Sequence, residues 1–169
     1  MVATMKTTNR ILIVSDDEAV RGGYLRSVNS VFPNSEFVSD GDGAMDAMQQ
    51  QPFDVVLLDV WKSGFDGLEI LRSIKRKWPE SEVVVITGDP TVNSAKEAVR
   101  LGAYDYVAKP LAPQEVIGLA IGALTQKSWA MHRLPEIADI AERCGASVEA
   151  AHRSGVNGRE TSFRGRKES

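Results

Sequence analysis

The chain predicts an α/β fold, a doubly wound five-stranded parallel sheet flanked by helices, and three observations carry that expectation. Five short apolar runs recur between residues 10 and 107, each followed by a segment with apolar residues at helical spacing. The runs are continuous rather than alternating, as expected for strands covered on both faces by helices. Polar residues able to do chemistry close four of the five runs, at the strand ends where such sheets bind ligands.

The elements follow in order. Residues 10–15, Arg-Ile-Leu-Ile-Val-Ser, read as a buried strand ended by Asp16-Asp17-Glu18. Residues 18–31 set Ala19, Val20, Tyr24, Leu25, Val28 and Val31 at helical spacing, and Pro33 and Asn34 stop that helix. A short strand over 36–39 and a helix over 42–50 come next. Residues 54–60, Asp-Val-Val-Leu-Leu-Asp-Val, form the strongest strand pattern in the chain. Gly64 and Gly67 supply loop geometry, and a helix over 66–77 ends in Lys75-Arg76-Lys77 before Pro79. A strand over 82–87, a helix over 91–101, a strand over 104–107 and a helix over 113–126 complete five strand–helix units. Right-handed crossovers leave few ways to connect them.

Bulk properties narrow the function classes. The chain has 169 residues, 43% hydrophobic and 25% charged, close to the average for globular chains, so it can bury a sizeable core. Net charge is −3, which by itself argues neither for nor against a nucleic-acid partner. Residues 1–126 are acidic on balance and residues 127–169 mildly basic. The single cysteine, Cys144, rules out an intrachain disulfide, fits a reducing cytoplasmic setting and reads as a packed small side chain. The N-terminus lacks a charged stretch followed by an apolar run, and no window is apolar enough to span a membrane.

The predicted topology gathers Asp16 and Asp17 after strand one, Asp59 near the end of strand three, Thr87 at the end of strand four and Lys109 after strand five. Taken singly, Asp16 or Asp17 is the residue type that caps a helix N-terminus. Taken together, three carboxylates in one crevice repel and require a cation, and hard oxygen ligands with open positions favour Mg²⁺. Lys109 offers a fixed positive charge and Thr87 a hydroxyl donor, both suited to phosphoryl oxygens.

These residues stand in Asp-Asp after strand one, Leu-Leu-Asp at strand three, Asp66-Gly67 after it, then Ile-Thr-Gly and Leu-Gly-Ala-Tyr-Asp-Tyr-Val-Ala-Lys-Pro. Over residues 9–127 the chain resembles the response-regulator receiver domain of two-component systems, a flavodoxin-like fold. The resemblance implies that Asp59 accepts a phosphoryl group from a sensor histidine kinase or phosphotransfer protein. It implies that Asp16, Asp17, Asp59 and the backbone carbonyl of Trp61 hold Mg²⁺. Thr87 and Lys109 would bind the phosphoryl group, Tyr106 would act with Thr87 as the switch, and Lys109-Pro110 would be a cis peptide. The face of helix 4, strand 5 and helix 5 would contact a partner or a second copy. The chain departs from the family at Ser63, where proline is usual, and at Trp61, which is large for its position.

Residues 128–153 are expected to form a helical extension and 154–169 a disordered tail. Residues 131–143 show an apolar helical face with Pro135 in a first turn, Gly145 as a C-cap and a short helix over 147–153. Three function classes follow. The leading one is a phosphorylation-controlled interaction module that is not an enzyme on a separate substrate. The second is a small transcription factor in which residues 134–153, somewhat like a helix-turn-helix, bind DNA through Arg143, His152 and Arg153. The third, a phosphatase-like enzyme, is disfavoured because the sequence carries neither a substrate-covering insertion nor a second acid/base near Asp59.

Overall fold

The computed structural model describes residues 8–60 and 66–143. The chain divides into two compact units, Met1–Ser128 and Trp129–Ser169.

In the first unit, strands β1 (Arg10–Val14), β2 (Asn34–Val38), β3 (Val55–Val60), β4 (Glu82–Thr87) and β5 (Asp105–Ala108) form one five-stranded sheet. Its order is β2-β1-β3-β4-β5, and every pairing is parallel. The central residues of β1, β3 and β4 are continuously apolar because successive side chains face opposite layers and both layers are covered. On one face, Leu12, Val14, Val56, Leu58, Val83 and Val85 pack with Met48, Leu71, Ile74 and Ala98. On the other, Ile11, Ile13, Val55, Leu57, Val84 and Ile86 pack with Val28, Phe32, Val116 and Ala120. Each fully buried Leu or Ile contributes about 1.5–3 kcal/mol relative to exposure.

The helices begin where short polar side chains cap them. Helix α2 (Gly41–Gln50) starts at Asp40, whose carboxylate accepts from Gly43 N at 2.7 Å. Helix α3 (Gly67–Lys77) starts at Asp66, which accepts from Leu68 N and Glu69 N, and it ends on three basic residues that complement the helix dipole. Helix α4 (Val92–Arg100) opens with a capping box between Thr91 and Ser94.

The first helix, α1, is composite. Glu18–Val20 is α-helical, Arg21–Leu25 is wound as a π-helix and Arg26–Val31 is α-helical again. The π turn holds Gly22 and Gly23, and a Cβ at either would meet nothing within 4 Å.

Two boundaries differ from the sequence reading by more than one residue. Strand β2 begins at Asn34, so a residue expected to stop a helix also opens a strand. Helix α5 (Pro113–Arg143) runs for 31 residues where two separate helices were expected. No glycine or proline interrupts 127–134, and Pro135, expected in a first helical turn, lies deep inside this helix. The Gly145 cap, the 147–153 helix and the 154–169 tail fall outside the described residues. Among the described residues, no helix is long and apolar enough to cross a membrane.

Candidate functional site

The parallel register builds the site. Val14 of β1 pairs with Leu58 of β3, so the next step along both strands sets Ser15 level with Asp59. Val60 pairs with Thr87, and Thr87 with Ala108, which brings Lys109 alongside as the residue after β5. The Lys109 amide donates to the Thr87 carbonyl at 2.8 Å, and the Lys109-Pro110 peptide is cis, as the sequence reading expected.

Asp59 is the centre of this edge and is only 2% exposed. Its Oδ1 lies 2.5 Å from Lys109 Nζ, and its Oδ2 accepts a hydrogen bond from Ser15 Oγ at 2.8 Å. Ionic and charge-assisted bonds of this kind are the strong ones, and they hold a buried carboxylate whose desolvation would otherwise be costly. Ser15 is itself buried, and its Oγ accepts from Asp17 N at 3.1 Å. Thr87 is 6% exposed, and its Oγ1 accepts from Asp89 N at 3.1 Å. Of the predicted residues, Asp59, Thr87 and Lys109 therefore come together.

Asp17 caps a helix, one of the two roles its residue type suggested. It is the N-cap of α1, with Oδ1 accepting from Ala19 N at 2.8 Å. A β-region backbone one step before the first helical residue turns one carboxylate oxygen onto the open amides of that helix. Asp16 follows Ser15 and is half-buried. Among the described residues, no three Asp, Glu, His or Cys side chains group closely enough to hold a metal. Trp61, whose carbonyl was expected to join the ligands, lies outside the described residues, as do Ser63 and Gly64. The oxygen-only donor set still suits a hard cation such as Mg²⁺. Asp16 and Asp59 are the carboxylates on either side of Ser15 in sequence and across the strands that could offer such oxygens.

Tyr106 of β5 reaches α4. Its hydroxyl lies 2.6 Å from Ser94 Oγ and 3.4 Å from Thr91 N, at the start of α4. Between it and the sheet edge an open cavity of about 160 Å³ is lined by Asp66, Leu68, Val85, Thr87, Ser94 and Tyr106. Tyr24 of α1 approaches from the other layer. Its hydroxyl donates to the Leu111 carbonyl at 3.0 Å, and burial, followed by the charge of Asp59, pushes the phenol above its ordinary pKa. It stays a neutral donor.

Sequence reasoning missed Ser15. The signal was present: it is the first polar residue after the β1 apolar run, and in a parallel sheet that position reaches the neighbouring strand's end.

A family model described as the response regulator receiver domain matches residues 11–120. The nitrogen assimilation regulatory protein NtrX of Azorhizobium caulinodans is 33% identical over 116 residues, covering 68% of this chain and 26% of that protein. The transcriptional regulatory protein QseB of Haemophilus influenzae is 27% identical over 145 residues, covering 86% of this chain and 63% of that one. The chain spans about a fifth of the length of the NtrX-like response regulators it matches in Rickettsia, 22% for that of Rickettsia felis. Among solved structures, the receiver domain of NtrX from Brucella abortus has a TM-score of 0.62 at 33% identity, covering 68% of this chain and 98% of that one. A CheY-like receiver domain protein from Methanospirillum hungatei has a TM-score of 0.68 at 20% identity, covering 72% and 98%, and shares the fold.

Proposed function

Since the chain belongs to the response regulator receiver domain family, we propose that it is a phosphorylation-dependent signalling switch whose acceptor is Asp59. The observation that carries this is the buried Asp59 carboxylate held between Lys109 and Ser15 at the sheet edge. Its donor is a phosphohistidine of a sensor kinase or phosphotransfer protein. An Asp59 oxygen attacks phosphorus, the phosphorus–nitrogen bond breaks, and the imidazole leaves and takes up a proton. Asp59 then carries an acyl phosphate. The Lys109 ammonium, already beside the carboxylate, lies where it can pair with phosphoryl oxygens, and the Thr87 hydroxyl can turn from its local bond to donate to them.

Mg²⁺, held by Asp16 and Asp59 with the Trp61 carbonyl, would supply charge neutralisation for the entering phosphate. A phosphoryl group brings negative charge and three acceptor oxygens. Movement of Thr87 toward it would vacate space beside the cavity, and Tyr106 would turn in from Ser94. The readout face is then α4, β5 and α5, where Val92 and Val99 are 70% and 69% exposed, a surface suited to a partner or a second copy. The protein acts in the cytoplasm and turns over no separate substrate.

Phosphorylation of the full chain by acetyl phosphate and Mg²⁺, read by intact mass, should add one phosphoryl group, and Asp59→Asn should add none. Equal labelling of the mutant would move the acceptor elsewhere. The second reading is DNA binding by residues 134–153, favoured by relatives named as transcriptional regulators. Salt-sensitive, sequence-selective binding by the phosphorylated chain, lost on truncation at residue 130, would support it.

A further inference from the structure

The residue that touches the acceptor from β1 is a serine, and the geometry fixes what its hydroxyl does. Asp17 N–H donates to Ser15 Oγ at 3.1 Å, which occupies one oxygen lone pair. The partner 2.8 Å away on the other side is Asp59 Oδ2, an acceptor. The hydroxyl proton therefore points at Asp59, and main chain, hydroxyl and carboxylate form one directed relay. Lys109 holds the other carboxylate oxygen at 2.5 Å. The residue level with Asp59 on the neighbouring strand is thus a hydroxyl and not a carboxylate, and Asp17 uses one oxygen to cap its helix.

We propose that Ser15 is a positioning residue for the acceptor: it orients Asp59 by Oδ2 in the absence of a cation, and by standing where a further carboxylate could stand it keeps the Mg²⁺ site weak. This rests on the reading of Asp59 as phosphoacceptor. A carboxylate at position 15 would face Asp59 at hydrogen-bond range. Two like charges so placed require a counter-charge, so the site would then bind a divalent cation more tightly. A hydroxyl imposes no such demand. The carboxylate is held by the Ser15 hydroxyl at one oxygen and the Lys109 ammonium at the other, and affinity for the cation depends on oxygens that the phosphodonor brings.

The test uses the full chain and Mg²⁺ alone, titrated by calorimetry, alongside acetyl phosphate labelling rates. Ser15→Asp should tighten Mg²⁺ binding by about tenfold or more. Ser15→Ala should leave Mg²⁺ affinity within about threefold yet slow labelling by about tenfold, as expected for a lost orienting bond. Ser15→Thr, which keeps the hydroxyl, should restore the rate. Asp17→Asn, which keeps a capping oxygen, should bind Mg²⁺ as the wild type does. Thermal melts confirm that each variant is folded. Should Ser15→Asp not fold, the Ser15→Ala and Ser15→Thr rates and the Asp17→Asn titration decide the matter. Wild-type labelling by Ser15→Ala, unchanged Mg²⁺ affinity in a folded Ser15→Asp, or loss of Mg²⁺ binding in Asp17→Asn would each overturn the proposal. Labelling of Asp59→Asn at the wild-type level would instead remove the reading on which it rests.

Discussion

The hydroxyls of Tyr106 and Ser94 lie 2.6 Å apart, so the aromatic side chain of β5 is fastened to the first turn of α4. The tether is that bond and a longer one donated by the Thr91 amide at 3.4 Å, both between neutral groups and worth about 0.5–1.5 kcal/mol each. A two-state element biased by so little is easily tipped. Ser94→Ala should raise the population of the inward Tyr106 conformer in the unphosphorylated chain by about two- to tenfold. A fluorinated tyrosine at position 106, followed by NMR, measures that population directly. An unchanged spectrum would mean that the Ser94 contact does not hold the side chain.

Thr87→Ala separates chemistry from switching. Asp59 and Lys109 remain, so the variant should still take up phosphate, within about tenfold of the wild-type rate. It should fail to change partner affinity or oligomeric state on phosphorylation, as read by sizing. Normal switching by this variant would break the proposed coupling between the Thr87 hydroxyl and Tyr106.

Lys109→Ala leaves a buried carboxylate that the Ser15 hydroxyl still holds at Oδ2. Breaking a buried pair by removing one partner costs about 3–5 kcal/mol, and the lower end applies because the hydroxyl stays. Adding Asp59→Asn to Lys109→Ala should recover much of that loss, since the uncompensated charge goes with it. Denaturant melts of the two single variants and the double variant form the cycle. Additive effects would show that the pair does not act as a unit.

Glu82, at the start of β4, sets a pH dependence of stability. Burial pushes its carboxyl above the ordinary range, against the pull of Lys75 and then Lys127. The folded state thus prefers the protonated acid. Its contribution is fully present below the ordinary carboxylate pKa and is lost as pH rises through the raised folded value. Glu82→Gln cannot ionise, so its stability should fall less than that of the wild type as pH rises through that window. Denaturant midpoints at several pH values give the comparison, and parallel curves would remove Glu82 as the cause.

The strands were legible because parallel, doubly covered strands leave the plainest pattern a sequence can hold. The runs at 10–15, 54–60 and 82–87 became β1, β3 and β4 within a residue at each end. From those strands the positions of Asp59, Thr87 and Lys109 followed, because register and topology together allow few arrangements. Asp17 did not follow. Capping and metal binding ask for the same residue type, and the capping bond to Ala19 N is visible only in the structure. Ser15 was passed over because a hydroxyl beside two carboxylates draws no attention until the register sets it opposite Asp59. The length of α5 was hidden by Pro135, a residue that usually starts or ends helices but here lies inside one.

The π turn of α1 has a bearing on how this chain tolerates changes in length. Winding Arg21–Leu25 more loosely than the turns on either side absorbs one residue that a regular helix spanning the same path would not need. Val28 and Phe32 downstream are buried, and each residue of an α-helix turns the chain by about 100°. Removing a residue from the later part of α1 would therefore swing part of this apolar face toward solvent. Removing Gly22 or Gly23, whose side-chain positions meet nothing, lets the turn close to ordinary α winding while Val28 and Phe32 keep their seats. The helix that borders the acceptor site thus carries its own slack at Gly22 and Gly23, next to residues that the core holds.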